Sequence, residues 1–164
     1  MASESAPASD AESGSPSVGA TRTALALVSG WLLPGLGHAL LGRVPRGLLF
    51  MLIVLGSFAL GMAHDGRLAL RDDRQPFLTA LQVVANLGVG PADVVARVAV
   101  YGEAAYSVPQ DPAGGAFESR PVRIFRERSR AALSAYGTAY LWTAGLMNLL
   151  LLFDVWDIAR GRKS

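Results

Sequence analysis

From Gly47 to Ala63 the chain reads "GLLFMLIVLGSFALGMA", with no charged side chain over that whole stretch. As a helix rising 1.5 Å per residue, it spans about 25 Å, close to the hydrocarbon depth of a bilayer. Two further blocks have the same character. One runs from about Ala24 to Gly42, and the other, "YGTAYLWTAGLMNLLLLFDVWDIA", from Tyr136 to Ala159. In the last block Tyr136 and Trp156 are separated by about 30 Å of helix, the spacing of the two aromatic belts of a membrane. Composition agrees: 51% of residues are hydrophobic and only 17% charged, against roughly 25% charged in soluble domains. The chain reads as an all-α integral membrane protein with crossings at about 24–42, 47–63 and 136–158.

A fourth apolar segment, "FLTALQVVANLGVGPADVVARVAV" from Phe77 to Val100, is interrupted by Gln82, Asn86, Asp93 and Arg97 and by Gly90-Pro91. It is taken as a fourth crossing over about 77–99, since neighbours inside a bundle can re-satisfy the backbone freed at a proline. The alternative is a pair of short helices at the surface.

The polar stretches divide the rest. Residues 1–22 are small and polar, with Glu4, Asp10 and Glu12 among them, which predicts a disordered tail and not a basic-headed signal peptide. Residues 23–159 form the expected membrane domain and 160–164 a basic tail. Residues 64–75 read as a solvated loop, and 101–121 as a turn-rich connection.

The stretch "GWLLPGLGHALLGRVPRG" places helix breakers among apolar residues. "GRVPRG" makes a short polar turn, so the helices on either side are antiparallel neighbours, a helical hairpin. Arg43 and Arg46 then sit among lipid headgroups. Pro34, Gly35 and Gly37 allow two readings. In one they mark a kink at which small residues, with Gly30, receive Gly56, Ser57 and Gly61 of the second helix. In the other the helix is broken and its freed backbone groups meet an ion or headgroup.

The pattern "LPGLGHALLGRVPRG" resembles the two-transmembrane-helix domain, in which an apolar span carries Pro-Gly-x-Gly and a short loop begins Leu-Gly-Arg. The ending "YGTAYLWTAGLMNLLLLFDVWDIARGRK" is similar to the domain of unknown function 6677 family, and the likeness covers roughly 31–66 and 136–163. The resemblance implies an integral, multi-pass protein of the bacterial inner (plasma) membrane and supplies no activity.

Individual polar residues carry the remaining expectations. His38 lies just before the hairpin turn and suits interface anchoring or an interhelical hydrogen bond, with proton transfer or ligand binding as the alternative. Asn148, within "GLMNLLLL", is placed to bond across to another helix. Asp154 and Asp157 share a face near the end of the last span, and Asp157 is expected to pair with Arg160 at the helix end. Arg120, Arg123, Arg126, Arg128 and Arg130 precede that span, interleaved with Val122, Ile124 and Phe125. They suit either a surface helix meeting anionic lipid, with Arg120, Arg123 and Arg126 as headgroup contacts, or a solvated basic linker.

Absent features narrow the function. The chain has no cysteine and no P-loop, zinc-protease pair or nucleophile elbow, and Gly35-x-Gly37 lacks the third glycine of a dinucleotide fingerprint. No enzyme activity, cofactor, metal or nucleic acid is therefore expected. The expected partners are the lipid bilayer and other membrane proteins or a second copy. Function is read as interaction or membrane organisation, with a small transporter, channel or lipid-handling protein as the alternative. With four crossings the basic residues tie between the two sides, so the positive-inside rule gives no orientation; the arginines flanking the hairpin turn favour a cytoplasmic turn.

Overall fold

The computed structural model describes residues 19–108 and 119–162. Most of the tail expected over 1–22, and the end of the basic tail, lie outside these residues. Within them the chain is helical: α1 Ala20–Leu32, α2 Leu36–Leu40, α3 Val44–Ala63, α4 Pro76–Leu87, α5 Pro91–Tyr101, α6 Arg120–Arg130 and α7 Ser134–Ala159. The only extended pairing among the described residues is an isolated parallel bridge between Arg71 and Ser107.

Helix α7 is the axis on which the others pack. Its buried residues include Gly137, Thr138, Leu141, Ala144, Gly145, Asn148, Leu151 and Val155, spaced three and four apart so that they form one stripe. Most are small or polar. The large apolar side chains face outward: Leu150 is 67% exposed and Phe153 69%. Helix α3 buries two glycines, Gly47 and Gly61, together with Val54 and Phe58, while Leu52 is 72% exposed. Val54, Phe58, Leu141 and Leu151 do turn inward, but a second set of large apolar residues faces outward, where a water-soluble bundle carries polar ones. Helices α3 and α7 are long and apolar enough to cross a membrane.

The two helices run antiparallel. Gly61, near the end of α3, meets Leu141 and the Gly137 carbonyl, whereas Phe50 near its start shares a cleft with Leu150 and Asp154. We call the end holding the start of α3 and the close of α7 the proximal end, and the opposite one the distal end.

The segment 24–42 is not one crossing. Pro34 forces the preceding residue out of the helical region, and Leu33 is extended at φ −138°. Gly35 then turns the chain with φ +85°, a conformation open to glycine, and its α-carbon lies hard against the Gly47 backbone. Helix α2 therefore doubles back along α1. Arg22 Nη2 donates to Leu40 O at 3.4 Å, so both start and finish lie at the proximal end. The small residues consequently pair differently from the simple kink: Gly35 meets Gly47, Gly61 meets α7, and Gly56 faces open space.

The segment 77–99 is also not a straight crossing. Helices α4 and α5 are bent by 109° at the intervening break, and together they would make a third span only if a pair bent so sharply is counted as one. Gly90, at φ +81°, supplies the turn and Pro91 starts α5. Helix α4 reaches Gly145 of α7 by way of Ala85 and Gly88, and α5 returns toward the distal end, where Tyr101 Oη donates to Leu68 O at 2.7 Å. The count is thus two candidate crossings, or up to three, in place of three plus a fourth. The hairpin turn and the arginine-rich helix α6, which four straight crossings would put on one side, lie at opposite ends.

Two connections differ from expectation. The hairpin turn is only residues 41–43, because Pro45 sits in the first turn of α3, where its missing N–H costs nothing. Residues 64–75 are a solvated loop only in part: Leu68, Ala69 and Leu70 are each at most 5% exposed, while Arg71 and Asp73 to Gln75 are exposed.

Candidate functional site

The two helical breaks meet at Asn148. Its Nδ2 donates to Gly88 O at 2.9 Å and to Gly30 O at 3.3 Å, joining the end of α4 to the end of α1. Both carbonyls belong to helix termini, which lack intrahelical donors. Trp31 adds a second link, its indole N–H donating to Leu87 O at 3.2 Å. A β-carbon at Gly90 would overlap the Trp31 carbonyl. Asn148 and Pro34 are fully buried, so this junction is packed shut.

A second constellation lies at the proximal end. His38 is fully buried, and its Nε2 lies 3.0 Å from Asp154 Oδ2, joining α2 to α7. The Phe50 ring stands edge-on to the imidazole, with centroids 5.1 Å apart. His38 Nδ1 has no protein partner. Beyond Asp154 opens a cleft of about 590 Å³ whose rim carries Arg43, Arg46 and Arg162. Among the described residues neither Arg43 nor Arg46 has a side-chain hydrogen bond or ion pair.

The third lies toward the distal end. Arg97, fully buried, donates from Nε to Asp93 Oδ2 at 2.8 Å and from Nη1 to Ala69 O at 2.9 Å and Ala105 O at 2.6 Å. Its guanidinium lies 4.1 Å from the centre of the Tyr106 ring. Burial pushes the Tyr106 phenol above its ordinary range and Asp93 adds to the effect, so the ring stays neutral beside the cation. This group clamps residues 68–70 and 105 onto α5 and accounts for the buried connection.

The expected site residues separate accordingly. His38 and Asp154 come together, which gives Asp154 an interhelical partner. Asp157 lies 3.8 Å from Arg162, and Arg160 instead stacks on Trp156 at 4.1 Å from the ring centre; position 160 follows the last turn, where its side chain folds back along the helix. Pro34, Gly35 and Gly37 build the reversal between α1 and α2, and a side chain at Gly37 would meet the Ala26 carbonyl and Val155. Arg120, Arg123 and Arg126 are on α6, remote from Arg43 and Arg46. Ile124 and Phe125 pack on the core, and Arg128 Nη1 donates to Gly66 O at 3.0 Å. The apolar residues of α6 thus face the bundle, while Arg123 and Arg126 are exposed.

The Asp93–Arg97 pair and Trp31 were not singled out from the sequence as functional residues. The signal for the first was present: opposite charges four apart within an apolar segment can pair on one helix face. Trp31 carries no such mark.

Residues 25–164 match a family of unknown function, DUF6677. The chain belongs to this family. The match runs through the middle segment as well as both ends, so the family region includes both helical breaks, Asn148 and the His38–Asp154 pair. No curated protein and no solved structure matches the chain.

Proposed function

We propose that this member of the family is a multi-pass protein of the bacterial inner membrane, non-enzymatic, acting through contacts with lipid and with other membrane proteins or a second copy of itself. In this reading α3 and α7 cross the bilayer. The α1–α2 and α4–α5 pairs enter it from opposite sides to about half its depth and meet at Asn148. The observation that carries the reading is the large apolar outer face of α3 and α7, where Leu48, Leu49, Leu52, Tyr136, Leu150 and Phe153 are exposed while glycines and Asn148 help to line the inner face. Outward apolar residues of this size are tolerated in lipid, where close helix approach through small residues supplies the association. Half-depth backbone breaks are acceptable there when they are buried in protein and satisfied, as Asn148 and Trp31 achieve.

The native chain contains no cysteine, so single cysteines can be placed at Arg46, Arg74, Arg123 and Arg162 and tested with a membrane-impermeant thiol reagent in intact cells. Positions 46 and 162 are expected on one side, 74 and 123 on the other. Labelling of 46 and 123 from the same side would restore four straight crossings and overturn the reading. So would release of the chain from membranes by alkaline carbonate.

The transport alternative has one observation in its favour, two broken helices facing each other from opposite ends. The closed packing at Asn148 favours a structural junction over an open path.

A further inference from the structure

We infer that the proximal cleft between α3 and α7 is a specific site for a phospholipid with an anionic phosphate and a hydroxyl-bearing head, such as phosphatidylglycerol. The inference rests on the membrane reading above.

Three features of the cleft select an amphiphile. Its rim brings Arg43 and Arg46 from the start of α3 and Arg162 from just beyond α7, three guanidiniums around one opening. Arginine presents a planar set of donors matched to phosphate oxygens. Its wall is apolar, formed by Met147, Leu150 and Leu151 along α7, and Leu150 is largely exposed toward the outer surface. A free phosphate ion would leave that wall unused, whereas an acyl chain lies along it.

The carboxylate gives the second element of selectivity. Asp154 lines the same cleft and is only 25% exposed, its Oδ2 held by His38 from inside the bundle. A bare anion entering there would face a negative group. A headgroup that donates a hydroxyl to Asp154 while offering its phosphate to the arginines satisfies both. Phe50 walls the opposite side and packs edge-on against the His38 ring, so the imidazole orients Asp154 without reaching the lipid itself. Trp156 with Arg160 stacked on it lies at the same end, as expected of side chains at headgroup level.

The full-length chain would be purified in a non-ionic detergent and titrated with phosphatidylglycerol, with phosphatidylcholine of the same acyl chains, and with glycerol 3-phosphate, using native mass spectrometry as the readout. Phosphatidylglycerol is expected to bind one per chain and at least about tenfold more tightly than phosphatidylcholine, with no competition from glycerol 3-phosphate. The R43Q/R46Q variant should lose about tenfold or more in affinity, and R123Q/R126Q at the other end should lose none. Because α3 begins at Val44, R162Q, beyond the last helix, serves as a second variant unconnected with helix formation. D154N should bring phosphatidylglycerol and phosphatidylcholine closer together in affinity while the chain remains folded. Equal binding of the two lipids, unchanged binding by both arginine variants, or full competition by glycerol 3-phosphate would each overturn the proposal. A chain that remains detergent-dependent while failing these tests loses the lipid site alone; one soluble without detergent loses the membrane reading.

Discussion

Asn148 and Gly88 are joined by a 2.9 Å hydrogen bond from a fully buried amide to a carbonyl at the end of α4, and the same nitrogen reaches Gly30 at the end of α1. One side chain thereby ties together two chain reversals that are 58 residues apart (88 − 30) and enter from opposite ends. An asparagine in a leucine-rich helix is tolerated because it answers acceptors that have no other donor.

In the membrane setting proposed above, where interhelical hydrogen bonds contribute about 0.6–1.7 kcal/mol each, replacing Asn148 with Leu should destabilise the chain by about 1–2 kcal/mol. Thermal unfolding in detergent would measure it. Backbone hydrogen exchange should rise around residues 30–35 and 87–91 and stay unchanged in the first turns of α3. Exchange that rises uniformly, or nowhere, would show that Asn148 is no junction.

Gly145 and Gly56 offer a paired test of helix approach. A β-carbon at Gly145 would overlap the Ala85 carbonyl of α4, while one at Gly56 would meet nothing within 4 Å. Gly145→Ala should therefore destabilise by about 1–3 kcal/mol, in the range of overpacked interiors. Gly56→Ala should be neutral or stabilising by up to about 1 kcal/mol, from helix propensity. The ordering of the two midpoints is the result that matters, and its reversal would mean α4 does not rest on α7 as described.

Asp93 and Arg97 form a fully buried ion pair. Removing one charge leaves the other stranded, so Asp93→Asn or Arg97→Gln should each cost about 3–5 kcal/mol. Removing both, as Asp93→Leu with Arg97→Met, should cost less than the sum of the single changes. Arg97 also holds the carbonyls of Ala69 and Ala105, so the double variant should remain below wild type. Additive losses would mean that the two side chains are not coupled.

Much of this architecture is legible along the chain. The uncharged run at 47–63 and the apolar run at 136–158 predict the two long helices to within three residues at each end. The reason is local: an uninterrupted apolar stretch of this length has no side chains to satisfy its backbone, and a helix closes those bonds within the segment. Pro34-Gly35 and Gly90-Pro91 are likewise visible as places where a helix must yield.

What the breaks become is not local. A proline preceded by an apolar run can bend a helix slightly or end it, and the choice depends on what receives the freed carbonyls. Here Asn148 and Trp31 receive them from positions distant in sequence, and Gly47 is small enough to let α2 fold back. The partnership of His38 with Asp154 is similar, since the ring that meets this carboxylate near the end of α7 comes 116 residues earlier in the chain. The residues themselves determined that this chain makes long apolar helices and where those helices could fail. Only the tertiary structure decided that the failures are reversals meeting at one amide, because a hydrogen-bond donor can be assigned to an acceptor only once both have a place in space.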